Sequence, residues 1–288
     1  MSTCIKAFLH IQPAKKNRLH SDKAYLQRPS SACFEVKVFN YTKSYQSFQG
    51  LFLNSQCWGR HPLLIRGAFK ADADYLLQLH TDSVHTEQEQ QEKKTWPTWE
   101  EIKTLASNED AESRWITHTP NDDSSWTLDL GPFDSVDVDD ALSSTHRTKS
   151  TFEDTLDVDE TIRSTLIVND VDRFVPSLFN WIHDNFSFIP HWRRDDGQVS
   201  LAHEGGGIGP HVDEYDVFLI QMAGVRRWEL GNRFITVVEE LEGDLLIKNL
   251  DVRIIRNWDA EKGEAMVLYP GDVLYLPPRI AHCGTALR

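Results

Sequence analysis

The chain of 288 residues has few cysteines, no long apolar run and a shortage of basic side chains. Its four cysteines, Cys4, Cys33, Cys57 and Cys283, show no paired short spacing, which argues against a disulfide scaffold and favours a reducing compartment. No run of about eighteen apolar residues is present, so we predict no membrane-spanning helix and no membrane partner. Lys and Arg total 30 against 44 Asp and Glu, and the resulting charge of -14 repels nucleic acid and favours a basic partner.

What the sequence does contain is enough apolar material for a full core, with 40% hydrophobic and 10% aromatic residues. The first 33 residues differ from the rest, since they carry six Lys and Arg but the single acid Asp22. We predict a basic, disordered extension over 1–33 that lies outside the core, with an organelle transit peptide as the alternative. The folded domain is predicted over 34–288, because the stretches 34–38 and 62–67 are typical of strands.

An acidic segment interrupts the predicted domain. Residues 134–160 contain nine acidic and two basic residues, so this segment carries seven of the fourteen net negative charges. A segment so acidic and so rich in Ser and Thr is typical of a solvated loop. The alternative is an electrostatic landing surface for a basic partner.

Helical patterns occur before and after this segment, at 71–80, 97–107 and 170–185. Thr98 and Glu101 have the spacing of a capping box at the start of the second helix. In the third, an apolar stripe at helical spacing predicts core packing. The stripe consists of Val171, Phe174, Val175, Leu178, Phe179 and Ile182.

From Gln198 onward, short apolar runs alternate with turns and show no convincing helix. The predicted strands are 198–203, 215–221, 225–230, 245–247, 252–255, 265–268 and 273–276. Several short strands separated by turns are typical of an antiparallel barrel or jelly roll. We therefore predict a mainly β fold with flanking α-helices.

A candidate metal site lies in this β-rich part. His211 and Asp213 precede an apolar strand, and they project from one face if the strand phase extends back to them. His282 follows another strand and its terminal Pro277 and Pro278, which places it at the same mouth of a barrel. Two His and one carboxylate form the facial triad of non-haem Fe(II) sites. The glycine-rich stretch 205–209 is interpreted as a flexible lip, because no helix pattern follows it.

Arg226 is the second candidate. Alternation along the strand places Arg226 with Trp228 and Leu230 on an apolar face, while Arg227 and Glu229 share the other face. A buried guanidinium requires a carboxylate partner. The partner is either the distal carboxylate of an organic diacid or an internal salt bridge.

Four motifs in this sequence resemble those of the JmjC-type ribosomal oxygenases. They are the stretches 192–196 (WRRDD), 205–218 (GGGIGPHVDEYDVF), 224–228 (GVRRW) and 270–278 (PGDVLYLPP) followed by His282. The nearest resemblance is to the bacterial branch that hydroxylates an arginine of ribosomal protein uL16. The likeness begins near residue 34 and is strongest over 186–282.

The resemblance implies a fold, a set of cofactors and an activity. The fold is a double-stranded β-helix, the cupin or JmjC jelly roll, with amino-terminal helices and strands. His211, Asp213 and His282 are implied as Fe(II) ligands, and Arg226 as the residue that binds the C5 carboxylate of the co-substrate 2-oxoglutarate. Related histidyl hydroxylases carry Lys at the position of Arg226, so Arg226 favours the arginine-hydroxylating branch.

Two departures from the family are visible. The acidic segment, about 134–163, resembles an insertion, and together with the basic extension it suggests an organelle-directed relative, in a mitochondrion or plastid, with the cytoplasm as the alternative. The family also continues past the third ligand with a closing strand, a helical dimerisation region and a winged-helix domain, whereas this sequence ends six residues after His282. We therefore expect that either the sequence given is incomplete, or the carboxy-terminal part of the family fold and its homodimer interface are missing.

The predicted function is that of an Fe(II)- and 2-oxoglutarate-dependent protein hydroxylase acting on an arginine of a basic, uL16-like ribosomal protein. Three alternatives keep parts of this interpretation. A histidyl hydroxylase or a JmjC demethylase would share the metal site, and a cupin isomerase or 2-oxoglutarate-independent dioxygenase would share the fold. A non-catalytic acidic cupin that only binds a basic partner would share the surface charge.

Overall fold

The computed structural model describes residues 4–11, 35–41, 47–81, 96–120, 125–134, 138, 162–242, 244–247 and 253–287. Within them the strands are β1 (Cys4–Ile11), β2 (Lys37–Asn40), β3 (Leu63–Arg66), β4 (Ser113–His118), β5 (Thr127–Leu130), β6 (Arg163–Val168), β7 (Arg194–Ala202), β8 (Asp216–Ala223), β9 (Arg226–Phe234), β10 (Lys262–Leu268), β11 (Val273–Leu276) and β12 (Ile280–Ala286). The α-helices are α1 (Phe48–Asn54), α2 (Lys70–Thr81), α3 (Trp99–Ala106), α4 (Val171–Phe174), α5 (Pro176–Asn185), α6 (Val237–Glu242) and α7 (Trp258–Glu261). Among these, none is both long and apolar enough to cross a membrane.

The strands form two sheets. The large sheet has the order β2-β3-β11-β8-β1-β7-β6-β4-β5, and the small sheet has the order β10-β9-β12. Apolar side chains from both sheets, among them Leu219 and Leu274 of the large sheet and Trp228 and Leu230 of the small one, pack in one buried cluster. Two mainly antiparallel sheets that share a core between them form the predicted jelly roll.

The outer face of the large sheet is covered by the helices. Phe218 and Tyr275 project from this face and contact Phe52 of α1, with ring centroids 5.0 and 4.9 Å away. Trp181 of α5 belongs to the same buried cluster. Because the helices cover this outer face, the interior between the two sheets remains available for a site.

Several local predictions are confirmed. The helix predicted at 97–107 is α3, and its capping box is present, since Thr98 N donates to Glu101 Oε2 over 2.8 Å and Glu101 N donates to the Thr98 hydroxyl.

The helix predicted at 170–185 is divided at Pro176 into α4 and α5. Proline cannot donate a backbone hydrogen bond and holds the preceding residue in an extended conformation. The apolar stripe therefore changes phase, so that Phe179 is exposed and Trp181 is buried instead.

The prediction that 1–33 lies wholly outside the core is wrong for Cys4–Ile11. This segment is β1, which pairs antiparallel with both β7 and β8, so that Ala7 lies opposite Val199 and Ile220. Its partners lie far away in sequence, and no local pattern within a basic background reveals such pairing. Residues 12–33 and most of the acidic segment lie outside the described residues, so the transit peptide, the insertion and the boundary at 34 stay predictions.

The carboxy-terminal part contains two helices that the sequence analysis missed. The first, α6, begins with the pattern Thr-x-x-Glu, in which the Thr236 hydroxyl donates to Glu239 Oε2 over 2.6 Å and accepts from Glu239 N. This capping box was a usable signal. The predicted strands at 245–247 and 252–255 reduce to isolated bridges, one of them between Leu246 and Ile255.

Candidate metal centre

The structure brings the three predicted ligands together. Asp213 Oδ2 lies 3.8 Å from His211 Nε2 and 3.5 Å from His282 Nε2. One ligand atom from each residue lies within 4.8 Å of the others. The predicted route to this geometry is wrong, because β8 begins only at Asp216 and Asp213 lies in irregular backbone before it. The two histidines are instead aligned by backbone pairing, with His211 N donating to His282 O over 3.0 Å and His282 N donating to His211 O over 2.8 Å.

Each histidine ring is oriented by a backbone carbonyl. His211 Nδ1 lies 2.8 Å from Gly209 O, and His282 Nδ1 lies 3.0 Å from Ile280 O. A carbonyl oxygen only accepts, so each Nδ1 is assigned the proton of a neutral imidazole, which leaves each Nε2 with a lone pair that can bind a metal. This is the arrangement that metal-ligating histidines adopt. Two neutral imidazoles and one carboxylate on one side of a common point fit a non-haem Fe(II) ion.

The glycine-rich stretch 205–209 is a paired segment rather than the predicted flexible lip. Gly205 N donates to Ala286 O and Ala286 N donates to Gly206 O, each over 2.8 Å. A Cβ at Gly207 would lie 2.2 Å from Gly284 O, so glycine is required where this backbone approaches β12. The close pairing continues to His211 and sets it opposite His282.

The hairpin β4–β5 packs on the same stretch. The Trp126 ring would lie 2.8 Å from a Cβ at Gly209, whose φ of +89° also favours glycine. Beneath it, His118 stacks on Trp126 with ring centroids 4.1 Å apart and an angle of 10° between the planes. Burial, and after it charge repulsion by Arg163, lowers the pKa of His118 to about 4.

We expect His118 to make the protein less stable as the pH falls. Its pKa in the folded state, about 4, lies below the unfolded value of 6.5, so between these values the unfolded chain binds more protons. The free energy of unfolding should therefore decrease as the pH falls from 6.5 to 4, by on the order of 3 kcal/mol. Urea unfolding at several pH values should show that the free energy of unfolding decreases less for His118→Gln than for the unmodified chain. His183, whose side chain is 58% exposed, supplies the control His183→Gln, which should keep the full decrease; equal slopes for the two variants would contradict the assignment.

Arg226 lies in the interior as predicted. It is 1% exposed, on the same strand face as buried Trp228 and Leu230. Arg227 and Glu229 occupy the opposite face and form an ion pair of 3.0 Å. Among the described residues, Arg226 Nε and Nη2 find no hydrogen-bond partner. Burying a guanidinium whose donors lack partners costs free energy, and a bound anion would offset this cost. Arg226 is therefore a candidate site for an anion.

Buried hydroxyl groups lie at the same end of the interior. The hydroxyls of Thr165 and Ser200 are fully buried and likewise find no partner among the described residues. Thr165 is paired with Ala202, Ala202 contacts Ala286, and Ala286 is paired with Arg226. Hydroxyl donors and a guanidinium suit a carboxylate ligand, so these residues fit the distal end of 2-oxoglutarate.

A cavity of about 300 Å³ with a mainly charged lining was not predicted. The charged residues that line it are Glu112, Asp170, Asp195, Asp196, Arg114 and Arg173. Tyr215 also lines it, and the pKa of Tyr215 is raised first by burial and then by Asp213, Asp196 and Asp195. Tyr215 lies two residues after the candidate ligand Asp213 in the sequence. The adjacent acids 195 and 196 were the available sequence signal, but their partners in the cavity come from separate segments.

Comparison with known proteins places this geometry in a family context. Residues 181–288 match the model of the JmjC domain. The chain is 32% identical over 190 residues to a probable ribosomal oxygenase of Haemophilus influenzae and 33% identical over 190 residues to the ribosomal protein uL16 3-hydroxylase of Escherichia coli. Each match covers 65% of this chain but only 39% and 42% of the two relatives, so the chain spans about two fifths of their length.

The fold has solved counterparts. The X-ray structure of E. coli ycfD superposes with a TM-score of 0.53 at 23% identity, covering 87% of this chain and 52% of that one. A second crystal structure of the E. coli ribosomal oxygenase YcfD gives a TM-score of 0.50 at 23% identity, covering 87% and 50%. These similarities support the fold, and the predicted cupin architecture is confirmed. Residues 181–288 thus match the JmjC domain, and the likeness to ribosomal oxygenases that the sequence motifs indicated is confirmed.

Proposed function

We propose that this chain is an Fe(II)- and 2-oxoglutarate-dependent dioxygenase that hydroxylates an arginine side chain of a basic, uL16-like ribosomal protein. One observation carries the proposal. The two His and one Asp that converge at His211, Asp213 and His282 share the interior of the barrel with Arg226, a buried cation without a protein carboxylate among the described residues. A metal triad and an anion anchor in one interior are the two elements that this chemistry requires.

The protein residues have separate tasks in this mechanism. His211, Asp213 and His282 would hold the iron on one side and leave its other side open, and Arg226 would bind the far carboxylate of 2-oxoglutarate. When bound, the iron would let O2 oxidise a C–H bond of the target to C–OH while 2-oxoglutarate is converted to succinate and carbon dioxide, with one oxygen atom of O2 entering the hydroxyl group and the other entering succinate. Trp228, whose ring lies 5.7 Å from that of His282, contributes to an apolar wall that excludes water.

The acid-lined cavity next to Tyr215 supports arginine as the target. A guanidinium presents a planar set of donors that matches carboxylate oxygens, and Asp195 and Asp196 line the cavity. One relative is named a uL16 3-hydroxylase, which supports a ribosomal protein substrate. The net charge of -14 would favour a basic protein partner and would make association weaker at high salt.

A ribosomal protein substrate would place the activity inside the cell. Location in a mitochondrion or plastid remains a prediction from the basic extension, and the cytoplasm is the other compartment with ribosomes.

The direct test incubates the purified full chain with Fe(II), 2-oxoglutarate and a uL16 fragment. We expect one succinate per turnover and the gain of one oxygen atom on an arginine, located by tandem mass spectrometry. Oxygen on a histidine would indicate the histidyl hydroxylase, and loss of a methyl group from a methylated fragment would indicate a demethylase. Peptide modification without succinate would indicate a 2-oxoglutarate-independent cupin enzyme.

A matched pair of variants tests the cavity in the same assay. Asp196→Asn should raise KM for the fragment, whereas Asp259→Asn, at a side chain that is 89% exposed, should leave KM unchanged. Full cellular function of a His211→Ala, Asp213→Ala double variant would instead favour the non-catalytic binding module.

A further inference from the structure

We propose that the buried ion pair of Arg279 and Glu240 positions the metal ligand Asp213 relative to His282. Arg279 is a positioning residue in this proposal and does not itself contact the metal. The inference rests on the proposed function, because it assigns a purpose to residues around the same metal centre. Neither residue carried a signal in the sequence, since their side chains meet across 39 positions.

Arg279 lies between the last two strands, three residues before His282. It is 5% exposed and has a φ of 73°, in the left-handed region that disfavours residues with a Cβ. A non-glycine residue in this conformation needs surrounding contacts that hold it there. The turn that leads into His282 therefore depends on what Arg279 contacts.

The backbone of Arg279 is hydrogen-bonded to the backbone of Asp213, which is one of the proposed metal ligands. Arg279 N donates to Asp213 O over 2.8 Å, and Ile235 N donates to Arg279 O over 2.8 Å. Since Asp213 lies in irregular backbone, this hydrogen bond is a main restraint on the ligand. Any movement of the turn at Arg279 moves Asp213 and His282 relative to each other, and their ligand atoms are 3.5 Å apart.

The side chain of Arg279 anchors that turn to α6. Its Nε donates to Ile235 O over 2.9 Å, and its Nη1 donates to Glu240 Oε2 over 2.5 Å. The Glu240 side chain is 4% exposed and also contacts Arg253. Glu214, the neighbour of Asp213, lies 4.0 Å from Arg279 and 3.5 Å from Arg253. The result is a charged network directly behind the metal ligands.

Burial makes this network sensitive to the loss of one member. Removing Arg279 would leave the buried Glu240 carboxylate without its buried partner and paired with the more exposed Arg253, and the network would rearrange to solvate the carboxylate. Outer-sphere groups that orient metal ligands typically contribute about 10- to 100-fold to metal affinity. The alternative is a purely structural ion pair, which would affect unfolding without affecting the metal.

The experiment measures Co(II) binding to the full chain by calorimetry and by its visible absorption, which reports the coordination geometry. We expect Arg279→Met to weaken Co(II) binding about 10- to 100-fold and to change the spectrum. Arg279→Lys should recover part of the affinity, because it restores the charge without the second donor. Glu240→Gln, which has nearly the same shape, provides a second variant if Arg279→Met does not fold.

The control is a buried ion pair at the other end of β11. Arg66 Nη1 lies 2.6 Å from Asp272 Oδ2, and the Asp272 side chain is 6% exposed. Arg66→Met should lower the thermal midpoint of the metal-free protein without changing Co(II) affinity or spectrum. Unchanged Co(II) binding in both Arg279→Met and Glu240→Gln, or equal weakening in Arg66→Met, would overturn this inference alone. Failure of the unmodified chain to bind Co(II) would overturn the proposed function as well.

Discussion

Asp213→Ala is expected to weaken the binding of a divalent metal by more than about 100-fold, which exceeds the usual effect of an outer-sphere group. Asp213 supplies the only negative charge among the three clustered ligands, and its Oδ2 lies between the two Nε2 atoms. Without it, two neutral imidazoles remain, and they neither compensate the charge of the ion nor complete one face of its coordination sphere. Calorimetric titration with Co(II) or Mn(II) measures the loss.

The control for this variant is Asp259→Ala on the surface. Asp259 is 89% exposed and pairs only with its neighbour on the helix turn, Lys262, among the described residues. The Asp259→Ala protein should bind metal with the affinity of the unmodified chain. Both proteins should show the same circular dichroism without metal, so that a lost fold is distinguished from a lost ligand. Equal affinity of Asp213→Ala and Asp259→Ala would remove Asp213 from the metal centre.

Arg226→Met should have two effects of opposite sign. The affinity of the Co(II)-loaded protein for 2-oxoglutarate should fall by about 2–5 kcal/mol, the usual result of deleting one member of a buried charge pair. The ligand-free protein should become more stable by about 1 kcal/mol or more, because an uncompensated buried cation is replaced by an apolar side chain of similar length. Calorimetry and urea unfolding measure the two quantities separately.

Arg227→Met is the matched control for this experiment. Arg227 is the next residue on β9, but it faces outward, is 51% exposed and pairs with Glu229. Its replacement should change neither 2-oxoglutarate affinity nor stability by more than about 0.5 kcal/mol. A destabilised Arg226→Met protein with unchanged 2-oxoglutarate affinity would favour the internal salt bridge that the sequence analysis kept as the alternative.

Features that depend on neighbouring residues were predictable from the sequence. The burial of Arg226 followed from the alternation of β9, and the start of α3 followed from Thr98 and Glu101. The third ligand was found because a turn, a strand and His282 occur in that order. These patterns are short and local, so one sequence contains all of their information.

Features that depend on distant partners were not predictable. His211 and Asp213 were predicted to share one face of an extended strand that does not exist, and backbone pairing with β12 aligns His211 instead. The acid-lined cavity draws its wall from segments near 112, 170 and 195. The ion pair of Arg279 and Glu240 joins a turn to a helix that was itself missed. Each of these requires the assembled tertiary structure.

The central place of β1 in the large sheet has a consequence for how the chain folds during synthesis. Because β7 and β8 are synthesised long after β1, the backbone groups of β1 can pair with them only once residues 194–223 have been made. Contacts so distant in sequence slow folding. Until they form, β7 and β8 present two open edges that can join to other chains. Removal of Cys4–Ile11 would leave β7 and β8 without the strand that joins them.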